Sequence, residues 1–339
     1  MRAGMLRAGG ALALACLVLA GCGRGDAPAG PIEIKFSHVV AADTPKGRAA
    51  EEFRRLAQER THGRVKVTVF PNSQLYKDKE EIEALQLGSV QMLAPSLAKF
   101  GPLGAREFEV FDLPYLFDGY ESVHKVTQGP VGHGMLERLA SRGITGLGFW
   151  DNGFKDLSAN REIRTPADVR GLKLRIQSSQ VLAAQMKTLG ALPQVMAFSE
   201  VYPALETGVV DGTENPPSNF YTQKMYEVQK YLARTQHGYL GYAVIVNKKF
   251  WDGLPADLRT TLEVCMAEAT KFANDIAQQE NEQALEKVRA SGRTRIVELD
   301  EAGRAAFRKA LLPVHREMRD VIGPELIDSI YAATGFRAQ

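Results

Sequence analysis

The stretch from Pro255 to Ala290 contains neither an internal proline nor an internal glycine. Within it Leu258, Leu262, Cys265, Ala269, Phe272 and Ile276 recur every three or four residues, the stripe of an amphipathic helix. The stripe fades across QQENEQ (278–283) and resumes at Leu285 and Val288. At ~1.5 Å per residue such a helix would run ~54 Å, longer than one small domain is wide. The rest of the chain must either let this helix bend or give it two bodies to span.

The segments before it alternate between strand and helix patterns. IEIKFSHVV (32–40) and RVKVTVF (64–70) read as strands, and SVQMLAP (89–95) as a short one. TPKGRAAEEFRRLAQER (44–60) reads as a helix opened by Thr44 with Pro45 in its first turn, and KDKEEIEALQLG (77–88) as a helix closed by glycine. GPVGHGM (129–135) reads as a loop leading into a helix. Such alternation predicts an α/β fold, and 339 residues leave room for about two domains. A faint repeat supports two related halves: ALQLGSV (84–90) and ALETGVV (204–210) both end a helix on glycine and pass straight into an apolar strand. Many helix-to-strand joints look alike, so the repeat alone leaves both readings open.

The N-terminus reads as a secretion signal over 1–21. Arg2 and Arg7 precede the apolar run AGGALALACLVLA (8–20), shorter than the roughly 20 residues of a membrane-spanning helix. LAGC (19–22) then resembles a lipobox, whose cysteine, here Cys22, would carry lipid; cleavage after APA (27–29) is the rival. Residues 22–31 form a tether rich in glycine, proline and alanine. The formal net charge of +2 is accounted for by the two leader arginines, so the body gives no case for a nucleic-acid partner. Cys16 lies in the leader and Cys22 at its end. Cys265 is then left alone, with no intrachain disulfide open to it.

No constellation for catalysis or metal survives inspection. SLAK (96–99) matches S-x-x-K, but the companion S-D-N and K-T-G motifs of that hydrolase chemistry are missing. His38, His62, His124, His133 and His237 are scattered, with no second histidine or cysteine three or four residues on. What remains is polar residues at strand ends, where open α/β sheets bind ligands. Lys155 and Trp150 flank an Asp-Asn-Gly turn in GLGFWDNGFKD (146–156). Arg175 closes the alternating strand GLKLRIQSSQ (171–180), and alternation alone makes it a surface charge. Phe198 precedes a helix start, and Glu214 and Asn215 precede two prolines.

Together, FSHVVAADTPKG, NSQLYKDKEEIEALQLGSVQMLAPS, DLPYLF, GLKLRIQSS and MAFSEVYPALETGVVDGTENPP resemble the substrate-binding proteins of TRAP transporters, the DctP family. The resemblance runs from about Ile32 to Ala333. WDNGFKDLSAN, RIQSS and HGYLGYAVIVNKKFWDGLP look closest to its four-carbon dicarboxylate branch. It implies a periplasmic-binding-protein-like fold of two α/β lobes, with the ligand between them and the long helix crossing both. The expected division is 32–150 with about 241–275, and 151–240 with about 276–335. It also implies that Arg175 clamps a carboxylate, that Asn215 and Phe198 belong to the site, and that Lys155 stands where a second cation, often arginine, is found. Ser96 falls where some relatives carry a cleft acid. On this reading Lys155 and Arg175 compensate a dianion, Asn215, Ser96 and His38 fill its lone pairs, Glu214 lies beside them, and Phe198 and Trp150 wall the carbon chain. The implied function is a monomeric, periplasmic receptor without cofactor or catalytic residue. It would be lipid-anchored to the membrane and hand succinate, fumarate or malate to the permease subunits. A keto acid, aromatic acid or sugar acid as ligand, or a ligand-sensing partnership with a membrane receptor, are the alternatives.

Overall fold

The computed structural model describes residues 30–338; the leader, Cys22 and the tether through residue 29 lie outside them. Nine strands form one mixed sheet: β1 (Ile32–Ser37), β2 (Val65–Phe70), β3 (Met92–Leu93), β4 (Ile144–Ala159), β5 (Lys173–Ile176), β6 (Leu192–Val195), β7 (Gly212–Asn215), β8 (Tyr231–Asn247) and β9 (Arg295–Val297). Their order is β2-β1-β3-β8-β4-β7-β5-β6, with β9 beside the start of β8.

That order contains the repeat. β2-β1-β3 is a parallel triplet and β6-β5-β7 is its counterpart on the other side of the long β4–β8 ribbon. The two motifs occupy equivalent joints, with Gly88 (φ +79°) and Gly208 (φ +73°) both left-handed, a conformation glycine adopts without steric penalty. One fixed offset carries Gly88 onto Gly208 and Met92 onto Gly212. Met92 pairs with Phe36, and Gly212 pairs with Leu174. Ser37 and Arg175, the next residues along, therefore hold equivalent places at the two strand ends.

The ribbon decides where those ends meet. β3 starts against Val246 of β8, and Ser96 beyond it bridges to Tyr242. β7 runs down β4 from Ala159 to Asp156. The middle of the ribbon pairs Trp150 with Tyr242 and Asp151 with Gly241. The carboxyl ends of the two triplets thus approach this middle from opposite directions, the geometry of a cleft between two α/β halves.

The long helix, Ala256–Ser291, lies along the ribbon. Its buried line runs through Leu258, Leu262, Cys265, Ala269, Ala273, Ala277 and Asn281, while Phe272 and Ile276 are only half-buried. Small alanines at four-residue spacing let the helix approach the strands closely. The apolar stripe fades because the helix there meets polar backbone. β4 carries a bulge between Asp151 and Gly153. Asn274 Oδ1 accepts the Asp151 amide at 2.8 Å, and Asn281 donates to the Asn152 carbonyl at 2.7 Å and accepts the Ser218 amide at 2.9 Å.

Two local expectations change. GPVGHGM is helical from Pro130, within a helix Pro130–Arg138. The C-terminal helix Pro324–Thr334 buries Ile327 and Ile330 in one cluster with Val123, Val126 and Met135, so the C-terminal segment also packs on residues assigned to the first half. Among the described residues no helix is long and apolar enough to cross a membrane.

Candidate ligand-binding site

Arg175 is 1% exposed. Alternation along β5 suggests a solvent-facing residue, but Leu174, Arg175 and Ile176 are all buried because both faces of the sheet are covered. Its Nε and Nη2 donate to the Met196 carbonyl at 3.1 and 2.9 Å, and Nη2 lies 3.6 Å from Asp78 Oδ2. Its guanidinium carbon stands 5.5 Å from the centre of the Phe198 ring. Among the described residues Nη1 has no hydrogen bond. Arg175 is the register partner of Thr213, so it shares a face with Thr213 and with Asn215 two residues on. Asn215 Nδ2 donates to Thr213 Oγ1 at 3.1 Å, and its buried Oδ1 is unpartnered.

The opposing triplet ends on Ser37 and His38, both fully buried. Ser37 Oγ and both ring nitrogens of His38 have no hydrogen-bond partner among the described residues. Burial, then the nearby Lys46 ammonium, pushes the His38 imidazole down to about 3, so it is neutral. Ser96 Oγ reaches across to Gln177 Oε1, joining the ends of the two triplets. Below them Asn152 donates to Tyr242 Oη at 2.6 Å and to Asn219 Oδ1 at 3.0 Å, while Ser218 donates to Asn152 at 2.8 Å.

Three further expected site residues are engaged in contacts of their own. Lys155 is buried, but its Nζ is 3.1 Å from Glu214 Oε1 and 3.6 Å from Asp112 Oδ1. Glu214 also accepts from His237 Nε2 at 2.9 Å. Burial alone would raise the Glu214 carboxyl, but Lys155 and His237 outweigh it and hold it at about 2. Lys155 and Glu214 thus neutralise each other, and Glu214 points away from Asn215 because adjacent strand residues face opposite sides. Trp150 is a core residue: its ring packs 5.9 Å from Phe36, and Nε1 donates to Thr270 of the long helix at 2.9 Å.

The sequence matches the family of bacterial extracellular solute-binding proteins, family 7, over residues 36–320. The chain belongs to this DctP family. It is 65% identical to the C4-dicarboxylate-binding periplasmic protein DctP of Rhodobacter capsulatus, over 90% of this chain and 91% of that one. Its fold is close to that of a TRAP periplasmic solute-binding protein from Shewanella oneidensis with bound succinate (TM-score 0.88, 41% identity, 90% of this chain and all of that one). A second such protein, from Pseudomonas aeruginosa PAO1 with bound L-malate, gives a TM-score of 0.83 at 44% identity over 85% of this chain and all of that one.

Two largely buried charged residues beside the candidate site were not singled out from sequence. Lys46 is 1% exposed; its Nζ donates to the Ala94 carbonyl at 3.0 Å and stands 3.9 Å from the centre of the Tyr242 ring. It sits in the first turn of the helix Pro45–Arg60, where the macrodipole disfavours a cation. That misplaced charge was the available signal. Gly47 follows because an added Cβ would meet the Ala42 carbonyl oxygen at 2.4 Å. Asp78 lies in a segment expected to be helical, but the helix begins only at Glu81. The carboxylate instead accepts the Phe198 amide at 3.0 Å and pairs with Lys99 at 3.0 Å. It therefore ties the first half of the molecule to the second.

Proposed function

We propose that this chain is the extracytoplasmic receptor of a TRAP transporter, binding a C4-dicarboxylate such as succinate, fumarate or malate and delivering it to the membrane permease. The observation that carries this is the convergence of two strand-end triplets, each bearing buried polar atoms without partners, on one ribbon. A buried guanidinium with free donors matches a carboxylate in two parallel bonds. The names and bound ligands of the relatives support the four-carbon class. In this reading Arg175 clamps one carboxylate, Asn215, Ser96 and His38 fill remaining lone pairs of the dianion, and Phe198 walls the chain and excludes water.

The halves close over the ligand by bending the ribbon. The first half is 32–150 with about 241–275, the second 151–240 with about 276–335, whose last helix packs back on the first half, and the change falls at the Trp150–Tyr242 register. The receptor is a monomer that catalyses nothing, works in the periplasm and is held at the membrane by lipid on Cys22. More than one acyl chain makes such anchoring stable. Calorimetric titration with succinate, fumarate and malate should give micromolar or tighter dissociation for at least one. A keto acid, aromatic acid or sugar acid binding tenfold tighter than all three would sink the dicarboxylate reading. Intact mass of the mature protein tests the anchor: a lipid-free chain beginning at Gly30 ends it.

A further inference from the structure

Four lysine and arginine side chains are buried among the described residues: Lys46, Lys99, Lys155 and Arg175. Lys99 lies 3.0 Å from both Asp78 and Glu81, Lys155 lies against Glu214 and Asp112, and Arg175 is within reach of Asp78. Lys46 alone among them has no carboxylate within ion-pair distance. An ammonium carries three donors, and a single hydrogen bond, to the Ala94 carbonyl, is made. A buried charge left in this state is costly unless something else pairs it.

The surroundings point the same way. Ser37 Oγ and the two His38 ring nitrogens are orphaned and fully buried at the end of the strand that feeds the Lys46 helix. Ser37 is the equivalent of Arg175 in the repeat, so this half has no strand-end cation, and Lys46 is its buried cation without a carboxylate partner. Lys46 and Arg175 flank a single contact. Lys46 holds Ala94, two residues before Ser96, and Ser96 meets Gln177, two residues after Arg175. A short ligand lying across that contact has one cation at each end.

We infer that Lys46 is the specificity-determining cation for the ligand's second carboxylate, with Ser37 and His38 completing that half of the site. This rests on the receptor reading above and names the residue that makes the site require a diacid. Lys155, the cation expected from sequence, is internal structure.

The test is calorimetric titration of wild type, Lys46→Met and Arg175→Met with succinate and with butanoate, its monoacid counterpart of equal chain length. Wild type should prefer succinate strongly. Lys46→Met should weaken succinate about 30-fold or more, leave butanoate as tight as in wild type or tighter, and so collapse the preference. Arg175→Met should weaken both acids. The ligand-free melting temperature of Lys46→Met should equal or exceed that of wild type, because an unpaired buried charge has gone; should it fail to fold, Lys46→Gln takes its place. The inference falls if Lys46→Met keeps succinate within threefold of wild type, or if any loss is shared equally by butanoate. Wild type that binds no C4-dicarboxylate would instead condemn the receptor reading itself.

Discussion

Truncating one partner of a buried charge pair costs about 2–5 kcal/mol, and about 1.4 kcal/mol is tenfold in dissociation constant. Arg175→Ala should therefore weaken succinate by about 30-fold or more. Arg175→Lys should recover only part, since an ammonium returns the charge but not the planar fork; titration of both variants checks this. Lys46 adds a pH dependence. Burial first, then the neighbouring Lys99, lowers its ammonium to about 7 in the empty protein. A bound carboxylate favours the charged form, so binding raises that value and takes up a proton. Affinity should be greatest below pH 7 and fall as the pH rises through 7 toward the raised value. Titrations from pH 6 to 9 should show this slope in wild type and not in Lys46→Met. The two cations differed in legibility. Arg175 was pointed to by resemblance and not by alternation, which placed it in water. Lys46 was hidden because a lysine after proline reads as a surface residue, and only its position at the unfavourable end of a helix betrayed it.

At the scale of elements, the apolar stripe of the long helix was plain, and so was its need either to bend or to span two bodies. The meaning of its interruption was not, because the partners are backbone groups of a distant strand bulge that no local pattern announces. Asn281 is the tightest of these ties, joining Asn152 and Ser218 beside the candidate site. Asn281→Ala leaves the buried Ser218 amide unpaired and the Asn152 carbonyl with Tyr120 as its remaining donor, and an unsatisfied group costs about 1–3 kcal/mol. The variant should melt several degrees lower than wild type. It should also bind succinate more weakly, because Asn152 loses its support. Differential scanning calorimetry and titration together test this; an unchanged melting point would mean the bulge holds itself.

At the scale of the molecule, the repeat seen faintly in fourteen residues proves to be the plan of the whole sheet, with two parallel triplets facing each other across one ribbon. The antiparallel ribbon itself was not legible. Its pairing joins residues about a hundred positions apart, and its strands carry no simple alternation because both faces are buried. On the proposed closure, contacts between the halves matter, and Asp78 supplies two at once, to Arg175 and the Phe198 amide, while Lys99 holds it from its own half. Asp78→Asn keeps a hydrogen-bond acceptor but removes the charge. Succinate release measured by stopped flow should accelerate about tenfold, the scale of a lost charge-assisted contact. Slower release would mean that Asp78 competes with the ligand for Arg175.

The chain has two tryptophans, Trp150 and Trp251. Trp150 lies at the mid-ribbon register, its indole wedged against Phe36 and hydrogen-bonded to Thr270. On the proposed closure, bending of the ribbon moves strand, helix and indole relative to one another. The intrinsic emission of a Trp251→Phe variant would then report the conformation of the hinge from inside, with no attached dye, in the same cuvette that holds the ligand.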